Sequence, residues 1–233
     1  MLKNNPRILS YSKENIDQKI KDLMSFGYDR QAVITIIKKS SRILSFSKNT
    51  IQEKFEFLIG LGYTSKNIIK MTQKFMDLFY FSLDNIGKKF EDLIKIGYTK
   101  EDIIKMTIKV PEIYSYKIDS IINKIEQIML MGYSKEDVIK MTIELPSLIS
   151  SSLETIKMKL DFYGEIGFKE VIKNKPKNLI QSLEVSYARY MFYTKNGILI
   201  DAPNYRRLFV GQDYFEHTFK IDKKTLQSIT CVI

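Results

Sequence analysis

A glycine followed by an aromatic residue falls at Gly27-Tyr28, Gly62-Tyr63, Gly97-Tyr98, Gly132-Tyr133 and Gly167-Phe168, each pair 35 residues after the last. Five registers without an insertion restrict the chain to a repeat architecture, because a fixed period of this length marks one supersecondary unit used again and again. Prolines keep the same period at Pro6, Pro111 and Pro146, with Ser41 and Met76 in the two slots between. After Gly167 the register shortens: Pro176 follows it by 9 residues, whereas Pro146 follows Gly132 by 14. The last repeat therefore lacks about one helical turn.

Each unit has the same grammar, seen in the third, MDLFYFSLDNIGKKFEDLIKIGYTKEDIIKMTIKV. Ser82 is a helix N-cap, and Ile86, Phe90, Leu93 and Ile94 then recur on one apolar helix face. Gly97 ends the helix, since the residue after a helix often needs a left-handed conformation that glycine accepts at little cost. Thr99 caps a second helix with Asp102 at the capping-box position, as Ser134 and Asp137 do one unit later. Pro111 stops that helix, and the apolar piece after it suits a single 3₁₀ turn. A unit this small cannot bury its apolar face alone, but stacked units can. The expected fold is all-α: an α-solenoid of about five 35-residue helix-turn-helix-3₁₀ repeats over residues 1–181. Residues 182–233 lack a 35-residue echo and are expected to form a C-terminal helical cap, with Ser182 and Gly197 bounding its first helix.

Composition agrees with a helical chain and removes several function classes. Ten glycines and five prolines in 233 residues are too few for the frequent turns of an all-β fold. Cys231 and His217 are the only cysteine and histidine, which rules out an intrachain disulfide, cysteine-pair zinc motifs and most nucleophile–histidine chemistry. Both read as structural. No phosphate-binding glycine loop, dinucleotide fingerprint or carboxylate set at metal-ligand spacing occurs. The expectation is a non-enzymatic protein without cofactor or metal. No run of 18 apolar residues exists, so no membrane-spanning helix is expected. MLKNNPRILS has neither a signal-peptide core nor an Arg-rich leader. This points to the cytoplasm, or to a mitochondrion or plastid if the sequence is a mature or truncated form.

The formal net charge is +10 and the pI about 9.4, which favours an anionic partner, nucleic acid before a membrane surface. Lys19, Lys54, Lys89, Lys124 and Lys159 hold one slot in all five first helices, three residues after a core isoleucine. Lys70, Lys105 and Lys140 hold a second slot, opposite the apolar positions of the second helix; Thr35 takes it in the first unit. Two accounts of these columns stand side by side. A lysine beside an apolar stripe covers it with its stem and keeps the ammonium in water. Alternatively, stacked helices about 8–10 Å apart set the ammoniums in a ladder along a phosphate backbone. Arg189, Arg206 and Arg207 would extend such a surface. The tyrosines after the turn glycines suit packing better than base stacking.

The phrases PRIL and PSLI, the run Ile-x-x-Lys…Leu-x-x-[Leu/Ile]-Gly-[Tyr/Phe]-[Ser/Thr], the segment SLEVSYAR with Arg189, and YFEHTF stand in an order that resembles the mitochondrial transcription termination factor (mTERF) family across nearly the whole chain. The resemblance implies a superhelix of α-α-3₁₀ repeats whose basic face binds double-stranded nucleic acid. It also implies a role in transcription termination, initiation or organelle gene expression, with some members acting on RNA. Duplex DNA is thus the favoured partner of a monomeric chain, RNA the alternative, and a protein-interaction solenoid the reading from another class. TAL-effector-like repeats have a similar period, but their variable base-reading pair has no counterpart in the near-fixed Gly-Tyr-[Ser/Thr/Asp] loop here.

Overall fold

The structure, a computed structural model, describes residues 11–222 and 224–225. Among these every regular element is helical: α1 (Lys13–Ser25), α2 (Arg30–Lys39), α3 (Lys48–Gly60), α4 (Ser65–Lys74), α5 (Leu83–Ile96), α6 (Lys100–Lys109), α7 (Ile118–Leu130), α8 (Lys135–Glu144), α9 (Ser147–Ser150), α10 (Leu153–Glu165), α11 (Lys169–Asn174), α12 (Leu183–Lys195) and α13 (Gln212–Phe219). 3₁₀ turns lie at Ser41–Ser45, Met76–Tyr80, Pro111–Ser115, Pro176–Ile180 and Tyr205–Phe209. The chain is therefore the all-helical repeat solenoid its period implies. Pro6 and Cys231 lie outside the described residues.

Local sequence sets the element boundaries. Ser12, Ser47, Ser82, Ser152 and Ser182 cap first helices by accepting from the backbone N–H three residues on. Both expected capping boxes, Thr99 with Asp102 and Ser134 with Asp137, are formed. Each turn glycine has positive φ, from +67° at Gly197 to +126° at Gly97. At Gly62 and Gly97 the glycine N–H bonds three residues back and the following tyrosine N–H five back, the Schellman pattern that satisfies the last carbonyls of the helix. Pro111 and Pro176 open their 3₁₀ turns, where no N–H is required. Pro146 instead precedes a short α-helical turn, α9.

The described chain divides into two compact units, Met1–Ile122 and Asn123–Ile233, with the division inside α7. In the first unit like packs on like: α1 against α3, α4 against α6, and one 3₁₀ turn against the next. Tyr28 and Tyr63 are buried, and their hydroxyls meet Thr72 Oγ1 at 2.5 Å and Thr107 Oγ1 at 2.6 Å. Each threonine also donates to the carbonyl four residues back in its own helix. The tyrosine after the turn glycine is thus a packing residue whose polar end is paired with the next repeat, as a buried hydroxyl requires.

Within the second unit α11 packs on α8 and α10. At six residues it is shorter than the ten-residue second helices, as the contracted register predicts. The contraction leaves a trace: the buried Tyr133 hydroxyl has no hydrogen-bond partner among the described residues, while Lys169 lies over its ring at 5.2 Å.

The C-terminal segment departs from expectation. It starts as a sixth repeat whose register is shifted to 30 residues by the contraction. Ser182 and Gly197 stand 30 residues after Ser152 and Gly167, and Ile198 N–H bonds five residues back to Tyr193, as Phe168 does to Tyr163. A loop then replaces the second helix and leads into the 3₁₀ turn Tyr205–Phe209 and α13.

Candidate nucleic-acid interface

The first lysine column does not face solvent. Lys19 and Lys54 are buried at 7% and 8% exposure, and Lys89, Lys124 and Lys159 are half-buried. Every one of the five ammoniums donates to backbone carbonyls at the end of its own unit. Lys19 reaches Phe46 O and Lys89 reaches Tyr116 O. Lys54 donates to Phe81 O at 2.7 Å, Lys124 to Ile149 O and Ser151 O at 2.5 Å each, and Lys159 to Leu179 O at 2.5 Å. Burial holds all five ammoniums below the ordinary lysine pKa. The expected ladder of free cations is therefore absent from this column. The acceptors explain why: Phe46, Phe81 and Tyr116 have extended backbone between a 3₁₀ turn and the next helix, so their carbonyls find no acceptor role in either.

Arg189 belongs to the same column rather than to a basic surface. It stands 30 residues after Lys159, is 1% exposed, and donates to Leu208 O at 3.1 Å and Val210 O at 2.6 Å, beside the 3₁₀ turn Tyr205–Phe209. Gln181 and Gln212 accept further bonds from it, and its guanidinium lies 4.9 Å from the Phe215 ring centroid. Its fork ties the end of the sixth unit to α12.

The second column is placed as expected. Lys70, Lys105 and Lys140 are exposed on α4, α6 and α8. Around Lys70 the structure adds residues that comparison of slots alone does not reveal. Lys66, Lys70 and Lys74 are all exposed at i, i+4 and i+8 of α4, a helix with no acidic residue. Cationic spacing along one acid-free helix is the signal that finds them. Lys74 also donates to Ile108 O at 3.0 Å and Lys109 O at 2.9 Å, closing the end of α6 while remaining exposed. α2 likewise carries Arg30, Lys38 and Lys39 and no acid. The first helices α1, α3 and α5 carry as many acidic as basic residues. In this unit the positive charge is thus concentrated on second helices.

In the second unit, Arg206 and Arg207 are exposed on the turn Tyr205–Phe209. With Tyr193, Val210, Tyr214 and Phe219 they line a cavity of about 430 Å³. His217 is exposed on α13. Among the described residues no helix is long and apolar enough to cross a membrane.

A family model described as mTERF matches residues 1–95 and 80–216. No curated protein matches the chain.

Proposed function

Because this chain belongs to the mTERF family, we propose that it is a non-enzymatic nucleic-acid-binding protein that regulates transcription, with duplex DNA as its ligand and termination as the outcome. The observation that carries this reading is the acid-free exposed stripe Lys66, Lys70 and Lys74 on α4, beside Lys105 on the α6 helix packed against it. Lysine heads on neighbouring helices neutralise successive phosphates and release counterions, which gives affinity without base specificity. Arg206 and Arg207 supply further phosphate-binding groups from the second unit.

Binding of the full chain to duplex DNA, single-stranded DNA and RNA over a salt series tests this. Duplex affinity is expected to fall steeply with salt. The Lys66→Ala, Lys70→Ala, Lys105→Ala variant is expected to flatten the log–log salt slope by about 0.9 for each phosphate that is no longer neutralised. A template carrying the bound duplex is expected to yield shortened transcripts. Failure to bind any of the three nucleic acids at low salt overturns the proposal, and tighter binding to RNA replaces DNA as the ligand.

A further inference from the structure

A second periodic surface lies on the first helices and has the opposite character. Met24, Ile59 and Ile94 occupy one repeat slot, 35 residues apart, in the last turns of α1, α3 and α5. They are 43%, 47% and 38% exposed. The preceding residues Leu23, Leu58 and Leu93 are buried, so the core does not require this slot to be apolar. Its exposed neighbour in sequence drifts freely, as Ser25, Gly60 and Lys95. The slot itself changes identity but stays apolar. Duplication alone would copy the residue, and solvent would let it drift.

The three helices lie side by side. α1 packs on α3, where the Phe26 and Phe55 rings stack at 4.9 Å, and α5 approaches α3 so closely that a Cβ at Gly87 would stand 3.2 Å from Phe57 Cζ. Neighbouring helices are about 8–10 Å apart. The three apolar side chains are therefore spaced like residues seven apart on another helix, which rise about 10.5 Å. Exposed Glu56 and Glu91 precede Ile59 and Ile94 by three residues, on the same helix face, and Asp17 and Glu53 are exposed on α1 and α3. Of the cations there, Lys95 is paired with Asp92 at 3.1 Å, leaving Lys21 and Lys88 on these faces. Carboxylates beside apolar side chains repel phosphate and favour a basic amphipathic segment.

We propose that the last turns of α1, α3 and α5 dock an amphipathic helix of a partner protein, with apolar residues at i, i+7 and i+14 and Lys or Arg beside them. This surface is separate from the lysines of α4 and α6, so it stands or falls independently of the nucleic-acid reading. The probe is a 21-residue helical peptide with leucine at positions 1, 8 and 15 and lysine flanks, titrated into the full chain by fluorescence anisotropy against a twin with glutamate flanks. The basic peptide is expected to bind at least tenfold tighter than the acidic one. The Met24→Ser, Ile59→Ser, Ile94→Ser variant is expected to bind it tenfold or more weakly, with duplex binding unchanged. The Glu56→Lys, Glu91→Lys variant, which leaves the apolar slot intact, is expected to favour the acidic peptide. Absence of peptide binding, equal binding by the serine variant, or a parallel drop in duplex affinity overturns the proposal. Dimerisation of the wild-type chain that the serine variant abolishes also overturns it, by assigning the face to a second copy.

Discussion

The Lys54 ammonium and the Phe81 carbonyl show what the buried lysine column does. Phe81 follows a 3₁₀ turn with φ −70° and ψ 142°, and the first bond of α5 runs from Ile86 N–H to Ser82 O, not to Phe81. The Phe81 carbonyl therefore needs a donor from elsewhere, and Lys54 supplies it across 27 residues at 2.7 Å. A buried backbone carbonyl left without a partner costs about 1–3 kcal/mol. Lys54→Met keeps the stem's apolar cover but removes the donor. It is expected to lower stability in chemical denaturation by about that amount, with the nucleic-acid salt slope unchanged. Lys70→Ala is expected to do the reverse, flattening the slope with the denaturation midpoint unmoved. If both variants behaved alike, the separation of structural and ligand-facing lysines would fail. The two columns are equally regular in sequence, and only their destinations separate them.

At the scale of elements, most boundaries follow from residues within a few positions of them. Serine and threonine caps, glycine stops and 3₁₀ prolines act locally, which is why the repeat grammar is readable without knowledge of packing. What is not readable depends on pairings across a unit. The Lys54–Phe81 bond joins elements 27 residues apart, Arg189 is displaced from the 35-residue register by the shortened α11, and Ile94, expected in the core stripe, is 38% exposed because Leu93 already fills that place. One element breaks the local rule in an informative way. α7 starts after Lys117, in the slot where α1, α3, α5, α10 and α12 have a capping serine. Ser120 and Ile121 donate to the Lys117 carbonyl, and its exposed side chain has no oxygen to accept from the first turn. Lys117→Ser is expected to stabilise the chain by about 0.5–1 kcal/mol, read as a higher denaturant midpoint at unchanged m-value. A neutral or lower midpoint would mean that the lysine has an unrecognised role at this helix start.

Across the whole molecule, the repeat design stores two sets of buried titratable groups with opposite pH signatures. The five carbonyl-bonded lysines have ammonium pKa values pushed down by burial. The unfolded chain therefore binds more protons than the native one just below the ordinary lysine value, and stability rises with pH there. The inter-repeat tyrosines are pushed up, mainly by burial: Tyr63, Tyr133 and Tyr163 to about 12, and Tyr28 and Tyr114 well above the ordinary value. Their phenols stay protonated in the native state while the unfolded chain loses protons near pH 10. The stability they contribute is fully present below about pH 10 and is lost as pH rises from there towards about 12. Denaturant midpoints are thus expected to hold or rise slightly up to about pH 10 and then to fall steeply. In Tyr63→Phe, which removes one such phenol from between Thr107 and Tyr114, the midpoint is expected to be lower at neutral pH and its alkaline fall shallower. A wild-type midpoint that fell steadily between pH 7 and 9, or an alkaline limb unchanged by Tyr63→Phe, would show that the tyrosine–threonine pairs between repeats do not govern the alkaline limit of the fold.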